Sequence, residues 1–398
     1  MSTRSGLIVL SVAALAALAS PSFAQNANWV AAWGASQQSL SEMKISNATA
    51  RMIARVTLPG SAVRIRVDNT FGTAPLAIGH ATVAPRVRGP AVATGLVKPV
   101  TFKGQPSVTI PAGGSVESDP IALPVVAQQD LAVSLHITGA DMQPSQHNNA
   151  QVTSYLSANG SGDQTASADG KPFTVETNSM FWLKGIDVQP TAPASAIIAF
   201  GDSITDGTCS TLNSNDRWED IVAQRLALQN PVRFSIVNEG IGGNTVTRKG
   251  TNPTFASPPG VERLDRDVLS RAGVSHVVLF MGTNDANREV SAADIIAGSK
   301  DIIARIKAKN IKVIGATMIP RHADVWNEAK NKVKREVNEW IRKDAGFDAV
   351  LDFDAVMRDP AKPDQMIQAF NCGDNVHPAP IGYFQMGKSV DLSIFTRR

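Results

Sequence analysis

The sequence predicts two folded parts in tandem: a strand-rich antiparallel region and, after it, an α/β domain built on a parallel sheet. Three observations predict this. Short stretches of alternating apolar and polar residues, punctuated by Gly, Pro, Asn and Asp, fill the first half. Beyond residue 195 the pattern becomes short continuous apolar runs, the mark of strands covered on both faces. Between those runs lie segments with helical spacing of apolar residues, so strand and helix alternate. The composition suits two cores: of 398 residues, 43% are hydrophobic and 18% charged, which excludes disorder. Lys plus Arg is 38 against 35 for Asp plus Glu, without a run of like charge, so a nucleic-acid partner is not expected. Two cysteines exclude a disulfide-dense scaffold and a Cys-rich zinc module.

At the N-terminus, Arg4 precedes the apolar run Leu7 to Ala19, and Ser22-Phe23-Ala24 is a small-x-small cleavage site. Residues 1–24 are therefore expected to be a signal peptide, and the protein secreted or periplasmic. The run is too short to cross ~30 Å of hydrocarbon as a helix, and no later segment approaches that length, so no membrane span is expected. Neither a twin Arg nor a Cys at the cleavage point suggests Tat export or a lipid anchor.

From Trp29 to about Val188, Arg51 to Val56, Val63 to Val67 and Leu131 to Leu135 alternate near period two and read as strands, with Phe181 to Val188 as the last. Many short strands with frequent turn signals predict a β-sandwich-like accessory domain over 25–190. Gln189 to Ser195, containing Pro190 and Pro193, reads as the linker. The second domain, 191–398, begins with the apolar strand Ala196 to Phe200. Phe234 to Val237, His276 to Phe280, Ile311 to Ala316 and Ala349 to Phe353 follow as further parallel strands. In Val325 to Asp344 the apolar residues Val325, Ala329, Val333, Val337 and Ile341 recur every fourth position, which predicts a helix buried on that face. Ser291, with Asp294 three residues on, reads as an N-cap, and a terminal helix starts near Ala379. Function is expected at the C-terminal ends of the strands.

Four motifs fall on those ends. Gly201-Asp202-Ser203-Ile204 follows the first apolar run, and Asn238-Glu239-Gly240-Ile241-Gly242-Gly243-Asn244 the second. Gly282-Thr283-Asn284-Asp285 follows the third, and Asp374-Asn375-Val376-His377-Pro378 precedes the terminal helix. One alone would be ordinary turn chemistry; four in order at one sheet face point to a site. In these motifs the chain resembles the GDSL, or SGNH, hydrolase superfamily from Ala196 onward. The strand-rich half, beginning Trp29-Val30-Ala31-Ala32-Trp33-Gly34, resembles the extra domain of a secreted bacterial branch of it. The resemblance implies a flavodoxin-like three-layer α/β/α domain that cleaves acyl esters through a Ser-His-Asp triad, with no metal or other cofactor.

A serine hydroxyl needs an adjacent base to act as a nucleophile. Ser203 sits at a strand-to-helix turn; His377 can take and return its proton; Asp374, three residues earlier, can orient the imidazole through Nδ1. The resemblance assigns the nucleophile, base and orienting acid to these three. It assigns the oxyanion donors to the backbone N–H of Ser203, the backbone N–H of Gly243 and the side-chain amide of Asn284. Asn287, Arg288 and His322 are candidates for substrate contact. Asp202, Asp206 and Asp285 are expected to satisfy loop backbone groups. His80, His136 and His276 read as structural and Trp218 as packing; His147, in the polar stretch Ser145-Gln146-His147-Asn148-Asn149, reads as part of an exposed loop, with a ligand-facing position as the alternative. Cys209 and Cys372 lie near Ser203 and Asp374 in loops that must converge if the triad forms, so a disulfide between them is expected.

The expected function is hydrolysis of short-chain acyl esters, such as acetyl groups on a polysaccharide. A lipase, arylesterase or lysophospholipase would use the same triad, as would a peptidase or thioesterase. A catalytically silent carbohydrate-binding protein would have no need of a base beside the serine.

Overall fold

The computed structural model describes residues 28–251, 257–322 and 324–397. The signal peptide expected over 1–24 lies outside the described residues. None of the described helices is long and apolar enough to cross a membrane.

From Val30 to Gln189 the described residues form strands and loops without a helix. Strands Val30–Gly34, Leu183–Gln189, Ala62–Asp68 and Ser115–Glu117 make one antiparallel sheet in that order. A larger sheet centres on Ala48–Val56 and Gln129–Ile137, paired without a break from Gln129 opposite Val56 to Ile137 opposite Ala48. Strand periodicity sorts its side chains: Ala50, Met52, Ala54 and Val56 enter the main core, whereas Ile53 joins a small cluster on the other face with Ala132, Tyr155 and Phe173. Arg51 is buried on that second face over the Phe173 ring, its nitrogens donating to Ser134 Oγ and to the carbonyls of Pro90 and Thr165.

The strand expected over Phe181 to Val188 is broken. Trp182 takes φ 58°, a left-handed conformation that interrupts the ladder. Met180–Phe181 therefore pairs with Ser145–His147, whereas Leu183–Gln189 lies between Val30–Gly34 and Ala62–Asp68.

The second half carries a five-stranded parallel sheet in the order Phe234–Asn238, Ser195–Gly201, Val274–Phe280, Lys312–Ala316, Ala349–Leu351. Along Ser195–Gly201, Ile197 and Ala199 pack with Trp218, Val222, Tyr383 and Met386 from helices Trp218–Ala227 and Pro380–Ser389. Ala196, Ile198 and Phe200 point into the other cluster with Leu264, Ile302 and Val337. Helices thus cover both sheet faces. Ser291 Oγ accepts from Asp294 N and caps helix Ala292–Lys307.

Helix Glu328–Lys343 buries Asn331, Lys334, Val337, Asn338, Trp340 and Ile341, while Ala329 is exposed and Val333 half-buried. The expected four-residue spacing fails here for a geometric reason. Four residues at ~3.6 per turn advance about 40° beyond a full turn, so a strict i+4 series spirals away from the sheet. Phe353, expected to end the last strand, instead begins helix Phe353–Met357 behind the cap Asp352.

The two halves share one core. The main apolar cluster runs from Val30 and Val188 into Ala196, Val237 and Val277. Strand Val30–Gly34 lies against the edge strand of the parallel sheet, where Ser235 Oγ donates to Ala31 O and Thr57 Oγ1 to Ala32 O and Ile236 O. Charges reinforce the junction: Lys184 Nζ is 3.2 Å from Asp68 and 3.6 Å from Asp267, and all three are buried.

Candidate active site

Strand Ser195–Gly201 ends against Asp202, whose Oδ1 accepts the N–H of Ile204 at 3.0 Å. The cap starts a one-turn helix, Ser203–Asp206, closed by Gly207 at φ 101°. Burial pushes the Asp202 carboxyl up to about 6, against the Ile204 N–H and the charge of Arg321. Ser203 is thereby held at the C-terminal edge of the sheet in a fixed, largely buried position.

The loop before the last long helix brings the acid and imidazole to the same place. Ser203 Oγ and His377 Nε2 are 2.8 Å apart, and His377 Nδ1 is 2.5 Å from Asp374 Oδ2. Asp374 Oδ1 accepts the backbone N–H groups of Val376 and His377, both at 2.8 Å. Partial burial works to raise the Asp374 pKa, but the His377 ring and these two N–H groups outweigh it and hold the carboxyl well below its usual range. An ionised Asp374 at Nδ1 favours the tautomer that leaves Nε2 as the acceptor facing Ser203. Cys209 and Cys372, 163 positions apart, are paired as a disulfide with Cα atoms 6.2 Å apart. The bond ties the loop after Ser203 to the loop before Asp374.

Two further loops face Ser203. Gly243 takes φ 71°, and Arg288 donates to its carbonyl. Asn284 donates one amide hydrogen to Asn244 O at 2.9 Å, which fixes the amide plane and leaves a second N–H on Nδ2. Asp285 is buried, and its oxygens accept the N–H groups of Val246 and Thr247 and the Thr247 hydroxyl. Asp206 accepts from Gly242 N at 2.8 Å through Oδ2 and pairs through Oδ1 with His147 Nε2 at 3.0 Å.

His147 departs from the expected exposed loop. Strand Ser145–His147 buries it, with Nδ1 2.9 Å from Ser36 O. Burial alone would lower its pKa; the Asp206 charge and hydrogen bond, helped by Ser36 O, reverse the sign and raise it. Among the other histidines, His80 pairs with Asp163 and Thr165, His136 with Asn47, and His276 packs edge-on against Phe234 and Phe395. Trp218 is buried against Phe280 and Phe353.

These groups line a cleft of about 500 Å³. Its wall includes Ser203, Asp206, Gly242, Gly243, Asn284 and His377 from the α/β half, and Gln38, Asn148 and Asn149 from the strand-rich half. Asn287 and Arg288 are on that wall. His322 is not: its backbone N–H donates to Asn375 O, and its Nε2 is buried without a partner. The neighbouring Arg321 lines the cleft instead, unanticipated although it follows the fourth parallel strand, where site residues gather. Asn148 and Asn149 belong to the polar stretch around His147, for which a ligand-facing position is the alternative reading, whereas Gln38 carries no local signal and reaches the cleft only through packing of the two halves.

The family model described as GDSL-like lipase/acylhydrolase matches residues 199–383. No curated protein matches the chain. Similar solved structures include a lipolytic G-D-S-L family member from Veillonella parvula, at 24% identity and TM-score 0.40, covering 52% of this chain and 100% of that one. An aryl esterase from M. smegmatis is 18% identical at TM-score 0.40, covering 49% and 96% of the two chains. Axe2, an acetylxylan esterase from Geobacillus stearothermophilus, is 19% identical at TM-score 0.39, covering 52% and 96%. The match places a GDSL-like lipase/acylhydrolase domain at residues 199–383, the segment that carries Ser203, Gly243, Asn284 and His377.

Proposed function

We propose that the protein is an exported serine esterase that hydrolyses short-chain carboxylic esters, with the acyl group on a hydroxyl-rich alcohol such as a carbohydrate. The observation that carries this reading is the continuous chain of hydrogen-bonding distances, 2.8 Å from Ser203 Oγ to His377 Nε2 and 2.5 Å from Nδ1 to Asp374. In the proposed reaction Ser203 Oγ attacks the ester carbonyl while His377 Nε2 takes its proton. The oxyanion is met by the N–H groups of Ser203 and Gly243 and by Asn284 Nδ2. His377 returns the proton to the leaving alcohol, and an acyl-enzyme remains on Ser203. Water, activated by His377, then releases the acid. Each oxyanion donor would contribute roughly 3–4 kcal/mol of transition-state stabilisation.

The cleft wall supports the substrate class. Val376 is the one aliphatic side chain among the described residues that line it, so a long acyl chain would find no continuous stretch of apolar side chains to bury against. Gln38, Asn148, Asn149 and Asn287 supply neutral amide donors and acceptors suited to hydroxyls. In this reading residues 1–24 are a cleaved export signal. The strand-rich region 25–190 is an accessory domain that builds one wall of the site, and 191–398 is a three-layer hydrolase domain. A purely carbohydrate-binding role is disfavoured, since it would not require an imidazole at 2.8 Å from a serine hydroxyl.

The test is an acyl chain-length series of 4-nitrophenyl esters, with acetylated polysaccharide and phospholipid alongside. The reading expects maximal kcat/KM at acetyl, release of acetate from the polymer and loss of both in Ser203→Ala. Activity confined to acyl chains above about eight carbons would overturn the substrate class, since such chains need an apolar cleft. Activity that survives in Ser203→Ala would overturn the mechanism.

A further inference from the structure

One cation in the cleft is unexplained by the proposed triad. Arg321 is 3% exposed, and the described residues offer its guanidinium neither a hydrogen-bond acceptor nor an ion pair. The Trp326 ring lies 4.9 Å from the guanidinium carbon, and that ring is itself held by a hydrogen bond from its Nε1 to Asn287 Oδ1. Burial lowers the Arg321 pKa to about 10, only partly offset by the charges of Asp202 and Asp374. The nearby carboxylates are committed elsewhere. Asp202 caps Ile204, Asp374 holds His377, and Asp206 bridges Gly242 and His147.

A second cation lines the same cleft. Arg288 is fixed by donation to the carbonyls of Gly250 and Gly243, and it lies near enough for its charge to act on Arg321. The two like charges repel in a partly desolvated cleft, a cost that Asp202, Asp285 and Asp374 offset in part and a bound anion would offset further. The planar fork of a guanidinium matches a carboxylate, and the stacked Trp326 limits the orientations it can take.

We propose that Arg321, with Arg288 on the same cleft, forms an anion subsite that takes a carboxylate carried by the ester substrate. An acyl ester of an acidic sugar is the representative class. The proposal deepens the esterase reading and rests on it for the position of the scissile bond. Neutral amide side chains on the wall would meet hydroxyls, and the arginine would select the acidic member of the class.

The experiment compares kcat/KM for 4-acetoxybenzoate with its neutral match 4-acetoxybenzamide, which places the charge on the alcohol side. A monosuccinate aryl ester against the corresponding butyrate ester places it on the acyl side. In one arm the wild type should prefer the charged ester by at least about tenfold, and Arg321→Gln should bring the ratio near one. Arg321→Lys, which keeps the charge and loses the fork, should fall between and serves as the reading if the Gln variant misfolds. An equal rate for charged and neutral esters in both arms overturns the proposal, as does a preference that persists in Arg321→Gln and Arg321→Lys. If no ester is turned over, the esterase reading fails by itself. Calorimetric titration of the Ser203→Ala protein with glucuronate and glucose then decides the subsite: Arg321-dependent binding of glucuronate supports it, and equal or absent binding overturns it.

Discussion

His147 Nε2, on a strand of the N-terminal half, lies 3.0 Å from Asp206 Oδ1, three residues after Ser203. The other Asp206 oxygen holds the N–H of Gly242, so the strand-rich half reaches the Gly242-Gly243 loop through two hydrogen bonds. Asp206→Ala removes both. It is expected to lower kcat by ~10–100-fold with a smaller change in KM, because a displacement of an ångström at the proposed oxyanion donor Gly243 would cost that much. Steady-state kinetics on an acetyl ester check this.

The same pair sets a pH dependence of stability. The folded-state pKa of His147 is raised above its unfolded value near ~6.5. Its contribution is therefore fully present below about pH 6.5 and is lost as pH rises through the folded-state value. Urea titrations from pH 5.5 to 9 should show the stability gap between wild type and His147→Gln shrinking toward alkaline pH. A gap that widens would contradict the assignment.

For the proposed triad, Ser203→Ala and His377→Ala are expected to lose ester hydrolysis by similar factors, on the order of 10⁴-fold or more, since the two act as one unit. Asp374→Ala should lose less, because water can partly orient the ring. Circular dichroism should find all three folded. Retention of more than about a tenth of wild-type turnover in Ser203→Ala would sink the serine mechanism, given losses of this size elsewhere.

Gly240 lies where the second strand meets the Ser203 helix. A methyl group there would overlap the Asp206 backbone nitrogen and sit 2.8 Å from its Cα. Backbone cannot swing aside as a long side chain can, so Gly240→Ala should destabilise by about 1–3 kcal/mol and reduce activity with it. Thermal unfolding and kinetics on one preparation test both.

Asp267 is fully buried between Arg266 at 2.7 Å, Arg263 at 3.3 Å and Lys184 at 3.6 Å. Lys184 comes from the strand-rich half, so the cluster spans the junction. Asp267→Ala would leave the buried Arg263 without its ion-pair partner and Lys184 with Asp68 alone, and should cost roughly 3–5 kcal/mol. Replacing Cys209 and Cys372 together by serine should cost roughly 2–4 kcal/mol, because the bond closes a loop of 163 positions. Denaturant titration measures each loss.

Much of this protein was legible residue by residue. The change from alternating to continuous apolar patterns marked the two halves, and the cap at Ser291 was readable from two residues. The motifs at Ser203, Gly243 and Asn284 could be ordered along one sheet edge because a parallel α/β sheet puts successive strand ends on the same side, and the His377 motif was legible from its place before the terminal helix. Such features depend on neighbours within a few positions, and sequence records those directly.

Other features belong to the tertiary structure alone. Trp182 leaves the strand region because two different sheets compete for the segments flanking it. The helix at Glu328–Lys343 turns a polar-rich face inward because Lys334 finds Asp364 at 3.0 Å and Asn338 bonds both backbone groups of Met318. His147 and Arg321 could not be told from ordinary loop residues by spacing. What buries a polar side chain is a partner or a cavity supplied from far along the chain, and local periodicity carries no trace of it.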